Sequence, residues 1–389
     1  MKRSILIAIV ALSLAGCLDD RTILVQAPSS GLAPAPVAPS VSDGAADPLV
    51  ENQWTVKKLG LDEVWKQPTN AGTRRVTVAL LGTGVDYNHE DLRANIFVNQ
   101  AEAQMKKPGL TTPVDGVDDD GNGFIDDVIG WDAIDNSGFA FDRSGSGTAA
   151  AGIIGASHSN GKGIRGINSN VSMIPVRYID RNGYSTIPNL VKALRYVVAV
   201  RPDVVFLHLG SMEFGFGSAG ENKTVVAKAE DAALSAAMAD LLKNNIPVVL
   251  SAGNAAAGSE KAKSVIRRLS AFENVFVVTS TDETDRRPFI ANYGMDVVDT
   301  AAPGEEVLTT LPNNQYGKES GTFSAAAHVT GALALALSKF YGRVNYRQLY
   351  SALLSEKGSD RIPGLEMEVN GGNRLNILKL LTALENGLR

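Results

Sequence analysis

The chain is short of several features that usually announce a function. It has one cysteine, Cys17, in 389 residues. An intramolecular disulfide is therefore impossible, and stability must come from packing or bound ions. It has no run of like charge, and its formal net charge is −5, which argues against a basic arm and a nucleic-acid partner. No internal repeat is visible. Its N-terminal apolar run, Ile5 to Leu14, is shorter than the roughly 20 residues that a bilayer-spanning helix needs. What is present, 44% hydrophobic and 20% charged residues, suits a globular chain long enough for one large α/β domain with a deep core.

Lys2 and Arg3 precede the apolar run, the order of a secretory leader. The run ends in Leu14, Ala15, Gly16 and Cys17, which resembles the lipobox of bacterial lipoproteins. The resemblance implies a signal peptide over 1–16, cleavage before Cys17 and diacylglycerol on its sulfur. A lipidated N-terminal cysteine carries more than one acyl chain, which meets the two-signal requirement for stable anchoring. Leu18 to about Asp47 is rich in Ala, Pro and Ser and has no period. We therefore expect a flexible tether over 17–50 and a folded domain over 51–389. Leu18 stands where an aspartate retains some lipoproteins at the inner membrane. The expected location is the bacterial cell envelope, leaning towards the outer membrane and facing periplasm or surface.

Beyond the tether, short apolar runs alternate with helical spacing. Val76 to Leu81, Ile174 to Tyr178, Val204 to Leu209, Pro247 to Ser251 and Val275 to Thr279 read as buried parallel strands. Trp54 to Trp65, Asn189 to Val200, Thr224 to Asn244 and Ser324 to Ser338 read as helices. This alternation predicts right-handed crossovers and a three-layer α/β fold, a mainly parallel sheet with helices on both faces.

Three segments carry a more specific resemblance. Val78 to Asp86 (V-A-L-L-G-T-G-V-D), Gly145 to Gly152 (G-S-G-T-A-A-A-G) and Gly321 to Val329 (G-T-F-S-A-A-A-H-V) resemble the three catalytic segments of the subtilisin-like serine peptidases, the subtilases of peptidase family S8. The resemblance runs from Glu51 essentially to the end of the chain. It includes Asn292 to Gly294, Ala302 to Gly304 and a closing helix over Gly372 to Leu380. It implies the subtilisin-like fold. It also implies that the aspartate, histidine and serine of the catalytic triad fall on Gly82, Ser146 and Phe323. A benzyl side chain has no oxygen to attack a carbonyl. In subtilisin itself, loss of the serine or the histidine alone lowers turnover by about 10⁶. The implied protein is a catalytically degenerate member, a pseudoprotease. Members commonly carry a folded propeptide after the leader, and some thirty Ala/Pro/Ser-rich residues cannot build one.

Other residues could carry chemistry. Asn254 closes S-A-G-N, and the resemblance makes it a retained oxyanion-hole donor; as plain structure it is a strand-end asparagine bonding local backbone. Of four histidines, His89 and His328 match surface and packing positions of the family, and His158 sits in a polar loop where we expect it solvated. His208 stands where the family has a serine at a strand end bordering the cleft. It is expected to face Phe323 and Ser146. A relocated Ser324–His208 dyad is conceivable, although Ser324 is turned about 100° from Phe323 on a helix.

Asp115 to Asp127 spaces oxygen side chains two apart around Gly121 and Gly123, resembling the opening of an EF-hand loop. Ile129 takes the place of the bidentate glutamate. A similar acidic insert occurs in calcium-binding subtilases. The expected cofactor is structural Ca2+ on Asp118, Asp120, Asn122 and Asp126, which would offset the closure cost of a long loop.

The leading functional expectation is a non-catalytic, membrane-anchored protein that binds a peptide or protein partner. The alternatives are an active serine-type endopeptidase with a relocated site, and a structural envelope lipoprotein. A fluorophosphonate probe separates the peptidase from the rest. Capture of a partner through the intact tether separates the first from the last.

Overall fold

In the computed structural model, strands form where β-branched and leucine residues run together, and nearly every side chain on them is buried. The structure describes residues 44–388 apart from 68–69, 71, 73, 104–113, 213–222 and 255–259. The expected leader, Cys17 and most of the expected tether lie outside the described residues.

Thirteen strands are described. The first six are β1 (Val76–Gly82), β2 (Trp131–Asp132), β3 (Val171–Arg177), β4 (Tyr184–Ser185), β5 (Val204–Leu207) and β6 (Ser211–Met212). The others are β7 (Val248–Ser251), β8 (Val275–Thr281), β9 (Thr300–Pro303), β10 (Val307–Leu311), β11 (Gln315–Glu319), β12 (Ser359–Arg361) and β13 (Asn373–Leu375). The helices are α1 (Trp54–Lys58), α2 (Leu61–Lys66), α3 (Ser146–Gly155), α4 (Ile187–Val200) and α5 (Lys223–Lys243). They continue with α6 (Glu260–Leu269), α7 (Thr322–Lys339), α8 (Tyr346–Leu354) and α9 (Ile377–Gly387).

Nine strands make one sheet in the order β12-β13-β9-β8-β7-β5-β1-β3-β2. Every pairing in it is parallel except β12 with β13. The two-residue period of a strand sorts its side chains between two cores. Val78 and Leu80 of β1, with Val204 and Phe206 of β5, join the core that holds α3, α7 and α9. Ala79, Leu81, Val205 and Leu207 join the core that holds α4, α5 and α6. The three-layer α/β arrangement is as the alternation predicts.

The differences from the sequence reading have local causes. The expected helix Trp54 to Trp65 is broken into α1 and α2 at Gly60, which has φ +72° and leaves only 3.0 Å between an added Cβ and Leu378 Cβ. The expected strand at Ile174 begins earlier, at Val171, and the one from Val204 stops at Leu207. The stretch from Gly372 is not yet helix: Asn373–Leu375 forms β13, and Asn376 then caps α9 by accepting from Lys379 N.

Candidate active site and acidic loop

The parallel strands all end on one edge, where α3 and α7 begin. Gly82 closes β1. Thr83 follows, and its Oγ1 accepts from Gly147 N at 2.9 Å and lies 3.3 Å from Ser146 Oγ. Gly147 must be glycine, because an added Cβ would fall 1.9 Å from Gly84 O. The first turn of α3 is thereby pressed onto the end of β1. Asp142 fixes that turn: Oδ1 accepts from Ser144 N and Gly145 N, and Oδ2 from Thr148 N and Thr148 Oγ1. Thr309 and Thr310 of β10 donate to the carbonyls of Ala149 and Thr148 and hold the helix from its other side.

The start of α7 is stitched to the end of β7. Thr322 N donates to Asn254 Oδ1 at 3.0 Å, and Gly253 N donates to Thr322 Oγ1 at 2.9 Å. Asn254 is exposed, so this bond gives it a structural role whatever else it touches. The helix begins at Thr322, two residues before the expected start, with Gly321 at φ +150° before it. An added Cβ at Gly321 would meet Asn254 Nδ2 at 2.7 Å.

Phe323 is therefore the second residue of the helix. It is 6% exposed, and its ring lies 5.5 Å from the His208 ring at a tilt of 52°. His208 reaches this spot from the end of β5. Its carbonyl accepts the Tyr178 hydroxyl, and its Nδ1 lies 3.5 Å from Ser251 Oγ. Burial pushes the imidazole pKa down to about 4, so the ring is neutral at physiological pH. A Cβ on Gly82 would touch only His208 Cβ, at 3.8 Å. The structure thus gathers Gly82, Ser146, Phe323, Asn254 and His208 at one edge of the sheet.

It does not bring Ser324 into that group. Ser324 is fully buried, and its Oγ has no hydrogen-bond partner among the described residues. The conceivable Ser324–His208 dyad is not formed, because the helix turns Ser324 into the core while His208 Nδ1 faces Ser251. His158 also departs from expectation. It is not solvated: its ring packs edge-on against Trp65 at 5.1 Å, and Nε2 lies 2.6 Å from Gly166 O. His89 is buried too, with Nε2 3.1 Å from Gln315 O. His328, fully helical, sets Nδ1 2.8 Å from Ser324 O. What the site offers chemically is hydroxyls, a neutral imidazole and an aromatic wall; among the described residues the one serine hydroxyl within reach of a histidine ring is Ser251 Oγ, 3.5 Å from His208 Nδ1.

The acidic loop folds differently from an EF-hand. Asp118 is spent on its own turn, accepting from Gly121 N, Asn122 N and Gly123 N. Asp126 likewise accepts from Asp115 N and Gly116 N. Of the four expected ligands, Asp120 alone has a carboxylate in the acidic cluster, where it meets Glu102 and Asp127. One oxygen from each of these three lies within 4.8 Å of the others. Asn122 borders the cluster by donating to Asp120 and Asp127, and Asn99 donates to both as well. Burial raises the Asp127 carboxyl to about 6 and also raises Glu102. Sequence reasoning missed Glu102 and Asp127: Glu102 lies outside the motif, and the alternation of oxygens cannot tell which carboxylates turn back to cap the loop.

Comparison with known proteins agrees with this architecture. The model of the Subtilase family (Peptidase_S8) matches residues 73–366. The major intracellular serine protease of Bacillus subtilis (strain 168) is 30% identical over 77% of this chain and 80% of its own. Subtilisin-like protease 1 of Plasmodium berghei (strain Anka) is 26% identical over 77% of this chain; the match spans 49% of that protein, about half its length. A crystal structure of a cold adapted subtilisin-like serine proteinase superposes with a TM-score of 0.55 at 24% identity, over 78% of this chain and 89% of that one. The last likeness speaks for the fold, and the family match for descent: this chain belongs to the subtilase family.

Proposed function

We propose that the chain is a subtilase that has given up peptide hydrolysis, a pseudoprotease that binds a peptide or protein partner at the bacterial envelope. The observation that carries this is Phe323, a buried ring packed on His208 at the head of α7. Gly82 has no side chain to orient a base, and Ser146 has no basic nitrogen. Losing orienter, base and nucleophile together removes every proton-transfer step of acyl transfer. What the scaffold retains is the sheet edge, the Asn254 segment and the loops around them, which suit binding. The reading is tested by replacing Ser146 with a photocrosslinking amino acid in cells. A discrete crosslinked partner is the expected result. None at Ser146 or at Asn254 would leave the purely structural lipoprotein.

The same reading places Cys17 under lipid at the outer membrane and Ca2+ in the acidic loop. The loop's residues fit a hard cation. Glu102 Oε2 is buried and without a hydrogen-bond partner among the described residues, and it belongs to a trio of close carboxylates. Uncompensated buried carboxylates are costly unless a cation joins them. Glu102, Asp120 and Asp127 would hold the ion, with Asn99 and Asn122 orienting the latter two. Its contribution would be structural, a clip joining the segment of Asn99 and Glu102 to that of Asp120 and Asp127.

A further inference from the structure

Nine large apolar side chains are exposed among the described residues, and five of them, Phe289, Ile290, Tyr293, Met295 and Met367, stand on two adjoining loops. Ala291 N donates to Pro288 O at 3.0 Å. This closes a β-turn with Phe289, 81% exposed, and Ile290 at its two central positions. Such positions normally go to Gly, Pro, Asn, Asp or Ser. The turn is also braced. The Arg287 guanidinium donates to Pro288 O, to Ala291 O and to Glu368 Oε1, and stacks on the Tyr293 ring at 4.1 Å. Gly294 N donates to Glu368 O at 2.8 Å, which ties in the loop bearing Met367. A fixed turn with two apolar residues at its apex is arranged to enter an apolar phase without reordering.

The segment just before the turn meets the beginning of the domain. Lys58 Nζ donates to Glu283 O at 2.9 Å and pairs with Asp285 at 2.7 Å. Val50, Trp54 and Glu283 line one concavity. Arg165 lines the same concavity and pairs with Asp47 at 2.6 Å, near the start of the described residues. With Cys17 lipidated, the domain would meet the bilayer at high effective concentration.

We propose that the two loops form a lipid-surface contact, with Phe289 and Ile290 entering the headgroup boundary and Tyr293, Met295 and Met367 lying against it. Apolar and amphipathic aromatic side chains suit that boundary. The setting rests on the lipidation of Cys17; the contact itself does not, and is tested without the lipid. The full chain carrying Cys17→Ser is mixed with phosphatidylethanolamine–phosphatidylglycerol vesicles and sedimented. We expect it to co-sediment in proportion to lipid, and the double variant Phe289→Ser/Ile290→Ser to bind several-fold less with an unchanged melting temperature, since both side chains are exposed. A single variant, Phe289→Trp, should gain a blue-shifted emission component quenched by brominated lipid. No association of the parent with vesicles, or equal association of parent and double variant, overturns the proposal. So does a loss, in the double variant, of binding to a protein alone. Mass spectrometry of Cys17 in the wild-type chain is read separately, so failure of lipidation and failure of the contact are distinguishable.

Discussion

Phe323 and His208 pack ring against ring at the head of α7, where the proposed function puts the lost nucleophile. Their fit gives two expectations. Replacing Phe323 with Ser leaves a cavity under a side chain that is now 6% exposed, and should destabilise by about 3–5 kcal/mol. Gly82→Asp finds only an ordinary contact, 3.8 Å to His208 Cβ, so the obstacle to rebuilding the triad is the packing of Phe323 and His208 rather than room at Gly82. The triple variant Gly82→Asp/Ser146→His/Phe323→Ser should melt below the parent and hydrolyse peptide substrates poorly, because a working triad needs positioning to roughly half an ångström. Parent-like melting with brisk peptidase activity would show the scaffold still preorganised. The second expectation concerns pH. His158, His208 and His328 titrate near 4 in the fold because packing desolvates their rings, against about 6.5 when unfolded. As pH falls below about 6.5 the unfolded chain takes up protons first, so their contribution is whole above that pH and lost by about 4. Each histidine gives up roughly 1.4 kcal/mol for every pH unit crossed between those two values. Because the raised Asp127 carboxyl acts in the opposite sense over the same range, the test is the difference: urea melts across that window should show His208→Leu gaining stability relative to the parent as pH falls. The positions of Gly82, Ser146 and Phe323 were legible because the glycines and threonines beside them are still needed to press α3 and α7 against the strand ends.

At the scale of elements, the strands were legible because a buried parallel sheet requires continuous apolar runs, and β1, β5, β7 and β8 supply them. The misreadings come from tertiary demands that leave faint traces. Gly60 breaks the first helix by taking φ +72°, with Leu378 of α9 3.0 Å from where a Cβ would stand. Asn373–Leu375 pairs with β12 and β9, and pairing partners distant in sequence cannot be read from a short polar stretch. The acidic loop is the sharpest case: spacing alone selects Asp118 and Asp126, yet backbone amides claim both. The folded loop instead points to Glu102, Asp120 and Asp127. We expect calcium to raise the melting temperature and chelator to reverse it, since binding to the folded state alone is stabilising. Glu102→Gln should abolish the gain, whereas Asp118→Asn should keep a calcium response while weakening the turn. A melting temperature indifferent to calcium, with no metal by elemental analysis, would rule the ion out.

For the molecule as a whole, we read a subtilase scaffold on a lipid anchor, with binding in place of catalysis. Among the described residues no helix is long and apolar enough to cross a membrane, and Cys17 is the chain's one cysteine. On the proposed lipidation, Cys17→Ser should move the protein out of the detergent phase; unchanged partitioning would reveal another means of attachment. The central claim is the absence of an activated serine, and a fluorophosphonate probe tests it most directly. The purified chain, incubated with the probe beside an active subtilase, should show no stoichiometric label. Labelling of a single serine at one equivalent, blocked by a peptide substrate, would contradict the claim and restore an active peptidase with a site built elsewhere in the cleft.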